Sequence, residues 1–332
     1  MNSPEFDKLF ESFSYLKIGV LGDVMLDTYW WGKVDRISPE APVPVVAVSN
    51  KEQRIGGAGN VAINLGALGA SVSLISVTGN DDEAAQLLSL LNENNINTEY
   101  IYKSEARITT NKIRIISRNQ HMMRLDAEVT NSLNTLEEEN LIAAFTKYAI
   151  VEKPQIIILE DYNKGVLTAN GIKKIISICK EHNILTAVDP KRKNFFAYEG
   201  VDIFKPNLHE VKESLNIIGN QVSQEILEDM HKHLKEKLKH AVSFITLSEK
   251  GVFYQSENER AIIPTHIRSI ADVSGAGDTV VAVAAIVFAA SKNIRLMAEI
   301  ANIAGGLVCE EVGTVAINKN KLLEECKHLL TG

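Results

Sequence analysis

The chain is expected to fold as a three-layer α/β/α domain around a mostly parallel central sheet, with a small β-sheet beside it. Three observations predict this. Beyond Pro154, strand and helix patterns alternate regularly, which implies a parallel sheet covered on both faces. Several short apolar runs end in acidic or basic residues, as strands of open α/β sheets do where they present ligand groups. The turn Asp272-Val273-Ser274-Gly275-Ala276-Gly277-Asp278 runs directly into the uncharged segment 279–291, which has the length of a buried helix. A chain of 332 residues can supply the core for one large α/β domain or two ordinary ones.

Residues 1–15 carry Glu5, Asp7 and Glu11 and lack the continuous apolar core of a signal peptide. A strand at 16–21 ends at Gly22-Asp23, and the polar and aromatic segment Asp27-Thr28-Tyr29-Trp30-Trp31 follows. Asp23 and Asp27 thus fall either where ligand groups sit or where they cap a turn. Residues 36–48 hold Pro39, Pro42 and Pro44 around a set of valines, a pattern that suits an edge strand. Gly56-Gly57-Ala58-Gly59-Asn60 opens a helix reaching Leu68, and a strand follows at 72–77. The glycine spacing is wrong for a dinucleotide fingerprint, and no acidic residue closes the next strand. Gly57 and its neighbours instead let a ligand approach the backbone, with Asn60 offering a donor and an acceptor. A helix at 81–94 presents Leu87, Leu88 and Leu91. Residues 99–125 are β-rich and end in Arg118-Asn119-Gln120 and Arg124; together with 29–48 they are expected to form the small sheet.

The alternation then runs strand 156–159, helix 168–181, strand 185–188, strand 203–205 and helix 210–215. Two strand ends deliver Glu160-Asp161-Tyr162-Asn163-Lys164 and Asp189-Pro190-Lys191-Arg192-Lys193 to the presumed ligand edge. A charged helix at 224–240 has an apolar stripe of Ile226, Met230, Leu234 and Leu238. Its His231, His233 and His240 do not converge on a metal geometry and read as a solvated face. Strands at 242–247 and 251–255, a hairpin partner at 260–263, and helices at 296–311 and 318–330 complete the chain.

The turn before 279–291 can be read in two ways. Unpaired N–H groups at a helix N-terminus bind anions, and a carboxylate held beside them suits phosphoryl transfer to a hydroxyl. An ordinary helix start with a capping acid is the other reading. Bulk properties narrow the field. A net charge of −7 with no basic tract lacks the footprint of a nucleic-acid binder. Cys179, Cys309 and Cys326 are too dispersed for a disulfide framework or a zinc cluster. The longest uncharged stretch falls short of the ~20 residues of a membrane span, so a cytoplasmic protein with no membrane partner is expected.

Taken together, Gly275-Ala276-Gly277-Asp278, Gly56-Gly57-Ala58-Gly59-Asn60, Asn207-Leu208-His209-Glu210 and Asn302, in that family's order, resemble the ribokinase-like (PfkB) sugar kinases over nearly the whole chain. Within it, Gly22–Trp30, Arg36–Val45, Ser117-Arg118-Asn119-Gln120 and Arg124-Leu125-Asp126 are similar to kinases acting on D-glycero-D-manno-heptose 7-phosphate. The resemblance implies ATP-dependent phosphorylation of that sugar at C1 to the 1,7-bisphosphate, on the route to ADP-heptose for lipopolysaccharide core. It implies a single domain over 1–332 with lid segments at 27–48 and 99–126 that close over the sugar and form a homodimer contact.

Carried over by residue, Asp278 is the base, and the N–H groups of Gly275, Ala276 and Gly277 hold the transferred phosphoryl group. Asn207 and Glu210 arrange Mg2+ and its water, while Thr246, Ser248, Gly251 and Asn302 match the nucleotide site. Asp27, Gly57 and Asn60 hold sugar hydroxyls, with Asn119 and Asp189 also on the substrate side. Arg118 is the first choice for the 7-phosphate clamp, with Lys164, Lys191 and Arg192 behind it and Lys193 left as a surface residue. Asp272 and the region 311–315 resemble a monovalent-cation loop, which implies K+. Two departures stand out: Glu160 replaces an expected small hydroxyl residue, and Gly59 an expected alanine. No histidine-containing nucleotidyltransferase motif occurs in these residues, so the kinase portion alone is expected. The competing readings are a kinase of ribose, fructose or a fructose phosphate, a non-catalytic sugar or nucleotide sensor, and a nicotinamide-dependent dehydrogenase, the last disfavoured by glycine spacing.

Overall fold

Apolar runs too short for helices become the strands, and alternation within them decides which side chain faces which layer. The computed structural model describes residues 1–118, 120–219, 221–266 and 268–331. In chain order the strands are β1 Lys17–Gly22, β2 Val24–Ile37, β3 Pro44–Gly57, β4 Ser71–Gly79, β5 Ile101–Ser104, β6 Asn111–Ser117, β7 Gln120–Ala127, β8 Ile156–Glu160, β9 Leu185–Asp189, β10 Ile203–Phe204, β11 Val242–Thr246, β12 Val252–Gln255 and β13 Arg260–Ile263. The helices are α1 Ser3–Ser12, α2 Ala58–Ala67, α3 Asp82–Glu93, α4 Thr135–Glu152, α5 Ala169–Glu181, α6 Leu208–Leu215, α7 Gln224–Leu238, α8 Ala276–Ser291, α9 Ile294–Val308 and α10 Lys319–Leu330.

Among the described residues, nine strands form one sheet in the order β13-β12-β11-β10-β9-β8-β1-β4-β5, parallel except for the β11-β12-β13 meander. Central β8 is buried throughout, with Ile156 and Ile158 on one face and Ile157 and Leu159 on the other. Both faces therefore need a helical layer. One layer packs Phe6 and Phe10 of α1, Leu65 of α2, Val281 of α8, Ile300 of α9 and Leu322 of α10. The opposite layer packs Phe145 of α4, Ile175 of α5 and Met230 and Leu234 of α7. A second sheet of four strands, β3-β2-β6-β7, stands beside this body.

The expected three-layer fold with a small lid sheet is what the chain adopts, but its parts are redistributed. The lid is built from 24–57 and 111–127 instead of 27–48 and 99–126. Strand β5 pairs in parallel with β4 and extends the main sheet at its edge. Pro39 and Pro42 sit in the turn between β2 and β3, and β3 is a lid edge strand as its prolines suggest. Helices α1 and α4 were not anticipated, although both open with a capping box, Asn2 with Glu5 and Asn134 with Glu137. The solvated-face reading of the histidines also fails for two of them. His231 and His240 are buried, with Ser243 Oγ 2.9 Å from His231 Nδ1 and 2.6 Å from His240 Nε2.

Candidate active site

Strands β1, β8 and β9 end side by side, Gly22 opposite Glu160 and Glu160 opposite Asp189. Their last residues therefore gather at one sheet edge, the usual ligand edge of an open α/β sheet. The N-terminus of α8 comes down beside them. Gly275 caps it at φ 77°, and a Cβ there would lie 3.0 Å from the Asn60 amide nitrogen, so a side chain is excluded by both conformation and space. Gly57 precedes α2 at φ 59°, pressed against the Asp23 carbonyl, and this turn places Asn60 in the first turn of α2.

Asp278 is buried in the first turn of α8. Asn60 Nδ2 donates to its Oδ2 at 2.7 Å, and the Tyr162 hydroxyl donates to its Oδ1 at 2.7 Å. Burial pushes the Asp278 carboxyl up to about 6, and these two hydrogen bonds hold it from rising further. The N–H groups of Gly275 and Gly277 lie at this helix start, but that of Ala276 donates to the Val273 carbonyl at 3.3 Å.

Lys205, which sequence reasoning did not single out, is buried and binds Asp189 at 2.9 Å. Its signal was its place directly after β10, the same strand-end position as the other site groups. Lys191 spans Asp189 at 3.2 Å and Glu210 at 2.7 Å. Burial alone would raise the Asp189 pKa, but Lys205 and Lys191 outweigh it and the group is held below the usual carboxylate range. Glu160 is fully buried beside them. Carboxylate oxygens of Glu160, Asp189 and Asp278 lie within 4.8 Å of one another.

On the next side of the edge, Asn207 and Glu210 form a capping box at α6: Asn207 Oδ1 accepts the Glu210 N–H and Glu210 Oε2 accepts the Asn207 N–H. Both Glu210 oxygens are thus engaged, the second by Lys191, which fits a water-mediated rather than a direct metal contact. Thr246 bridges to Asn207, and Ser248 and Gly251 form the turn that follows β11. Asn302 on α9 donates to the Pro264 carbonyl at 2.8 Å. Asp272 accepts from Ser274 N–H and Oγ and from Gly313 N–H, which joins the two segments expected to hold a cation.

On the lid side, Asp27 pairs with Arg114 at 2.5 Å, and Arg114 and Arg54 both stand over the Tyr29 ring. Arg118 is exposed at the β6–β7 turn, next to Ser117, which pairs with Gly32. Gly32 is five residues along β2 from Asp27, roughly 17 Å at strand spacing. Within one chain, Arg118 is therefore not brought to Asp27, and Arg114 is. Lys164 binds Glu128 at 2.7 Å, Arg192 is exposed and binds Glu213, and Lys193 contacts Ser132. Asn119 lies outside the described residues. Asp23 accepts the N–H groups of Tyr162, Lys164 and Val166 and so caps the loop after β8.

This arrangement sets a buried carboxylate, able to take a proton near neutral pH, beside helix-start N–H groups, the buried Lys205 and the half-buried Lys191. Residues 16–321 match the pfkB family carbohydrate kinase. The chain belongs to this family. PfkB kinases are ATP-dependent sugar kinases, and the relatives agree. The chain is 37% identical over 317 residues to the bifunctional protein HldE of Sulfurimonas denitrificans, covering 96% of this chain and 65% of that one. It is 40% identical over 305 residues to HldE of Aliarcobacter butzleri, covering 92% and 63%. The chain thus spans less than two thirds of these relatives. Phosphofructokinase-2 from Escherichia coli in complex with potassium superimposes with TM-score 0.77 at 18% identity, over 96% of this chain and 100% of that one. Arabidopsis thaliana ribokinase complexed with ribose and ATP gives 0.72 at 15%, over 93% and 99%. These likenesses establish the ribokinase-like fold of this pfkB kinase.

Proposed function

We propose that this pfkB kinase phosphorylates D-glycero-β-D-manno-heptose 7-phosphate at its C1 hydroxyl, giving the 1,7-bisphosphate, a step toward ADP-heptose for lipopolysaccharide core. The similarity to HldE proteins over most of the chain supports the substrate, and the buried Asp278 with its two donors carries the chemistry. Asp278 takes the proton of the C1 hydroxyl as its oxygen forms a bond to the γ-phosphorus of ATP. The bond from that phosphorus to the ADP oxygen breaks, and ADP leaves. The N–H groups at the α8 start, with Lys205, stabilise the transferred group. Glu210 with Asn207 would hold the water shell of Mg2+, which would supply charge neutralisation for the nucleotide phosphates. Thr246, Ser248, Gly251 and Asn302 line the nucleotide side.

Asp27 orients sugar hydroxyls, and Arg114, already beside it, supplies the positive charge that a phosphorylated sugar requires. Asp272 and Gly313 form the K+ loop, and the lid carries a homodimer contact. ADP release is to be measured with heptose 7-phosphate, fructose 6-phosphate, fructose and ribose, in potassium and in a large organic cation. Turnover is expected on the heptose phosphate, faster in potassium, with kcat lowered at least ~100-fold in Asp278→Asn and KM raised in Arg114→Ala. Preference for another sugar would discard this substrate.

A further inference from the structure

Glu160 ends β8 between Gly22 of β1 and Asp189 of β9, with no exposed surface. Neither of its carboxylate oxygens has a hydrogen-bond partner among the described residues. The groups facing it are Asp189 from β9, Asp278 from α8, Lys191 and Lys205 from the segments after β9 and β10, and the Tyr162 and Tyr198 phenols. Both lysines are already committed, Lys205 to Asp189 and Lys191 to Asp189 and Glu210. Tyr162 donates to Asp278, and Tyr198 donates to Asp161. An ionised Glu160 would therefore be buried without a donor or an unshared counter-charge, against two other acids.

We propose that Glu160 is a positioning residue that works as a neutral carboxylic acid beside the base. With Glu160 uncharged, Lys191 and Lys205 face Asp189, Asp278 and Glu210 without a fourth acid, and the phosphoryl group enters with no further negative charge beside Asp278. Burial first, then Asp189 and Asp278, hold its pKa well above the ordinary carboxylate range, in keeping with this geometry. When the acid ionises at alkaline pH, the added charge opposes both the incoming phosphate and productive geometry at Asp278, and turnover falls.

The inference rests on Asp278 acting as the base, so one readout is independent of turnover. The infrared difference spectrum of ligand-free wild type minus Glu160→Gln, recorded at about pH 8, is expected to show the carbonyl band of a neutral carboxylic acid. In a kcat–pH profile with heptose 7-phosphate, wild type is expected to lose activity on the alkaline side. Glu160→Gln, which keeps shape and neutrality, is expected to lose that alkaline fall. Absence of the band, or an alkaline limb identical in both proteins, overturns the proposal. So does Mg2+ binding without nucleotide that disappears in Glu160→Gln, since the cluster would then hold a cation and not a proton. A failed heptose assay with the band present discards the substrate reading alone.

Discussion

At Asp278 two opposing influences act on one carboxyl. Burial raises its pKa to about 6, while the donors Asn60 and Tyr162 favour the ionised form. A base must be unprotonated to act, so kcat/KM is expected to fall as pH drops through about 6. Tyr162→Phe removes one donor to the carboxylate and should move this acid limb to higher pH, as should Asn60→Ala. A limb that stays in place in both variants would separate these side chains from the base. The turns that hold Asp278 and Asn60 were legible in the sequence, because glycine pairs mark where the backbone turns tightly before a helix. Tyr162 and Lys205 could not be assigned roles, since their partners lie on other elements, Asp278 on α8 for Tyr162 and Asp189 on β9 for Lys205. Arg114 carries no signal in the sequence, because the residues alone do not reveal strand pairing, and the parallel register of β2 with β6 is what brings it to Asp27.

Among the elements, α7 and β11 show how a correct local pattern can hide a tertiary contact. The stripe of Met230, Leu234 and Leu238 was legible, yet His231 lies one position beyond it and is covered by Ser243 of β11, together with His240. Burial lowers the His231 pKa to about 4 and that of His240 to about 3. In the unfolded chain both histidines bind protons near pH 6.5, so below that value the unfolded state gains protons that the folded state does not. Stability is therefore fully present above about pH 6.5 and is lost as pH falls toward 4, by on the order of 1–2 kcal/mol per histidine by about pH 5. Urea unfolding at the two pH values should show this loss, and His240→Gln should reduce it. An equal loss in the variant would place the acid sensitivity elsewhere. Strand β5 illustrates the same gap from the other direction: its β character was evident, but its choice of β4 over the lid depends on which edge was free.

For the molecule as a whole, the lid carries apolar surface that its own chain leaves uncovered. Every residue of β7 is exposed, including Met122, Met123 and Leu125, and Ile37, Val43 and Val48 add apolar surface on β2, β3 and the turn between them. An exposed edge strand bearing large apolar side chains is a template for association, and a second lid related by two-fold symmetry would cover the same surface on both copies. Asp27 and Arg114 sit on the lid strands, so whatever steadies the lid also steadies the proposed sugar side of the site. Sedimentation analysis is expected to give a dimer. The double variant Met123→Glu/Leu125→Glu should be monomeric, with a raised KM for the sugar phosphate and a KM for ATP close to wild type, because the residues proposed to hold the nucleotide lie outside the lid. Two outcomes would sink the idea that the lid is the dimer contact: a wild-type monomer with full activity, or a double variant that remains a dimer. A monomeric variant with an unchanged sugar KM would keep the contact and remove its link to substrate binding.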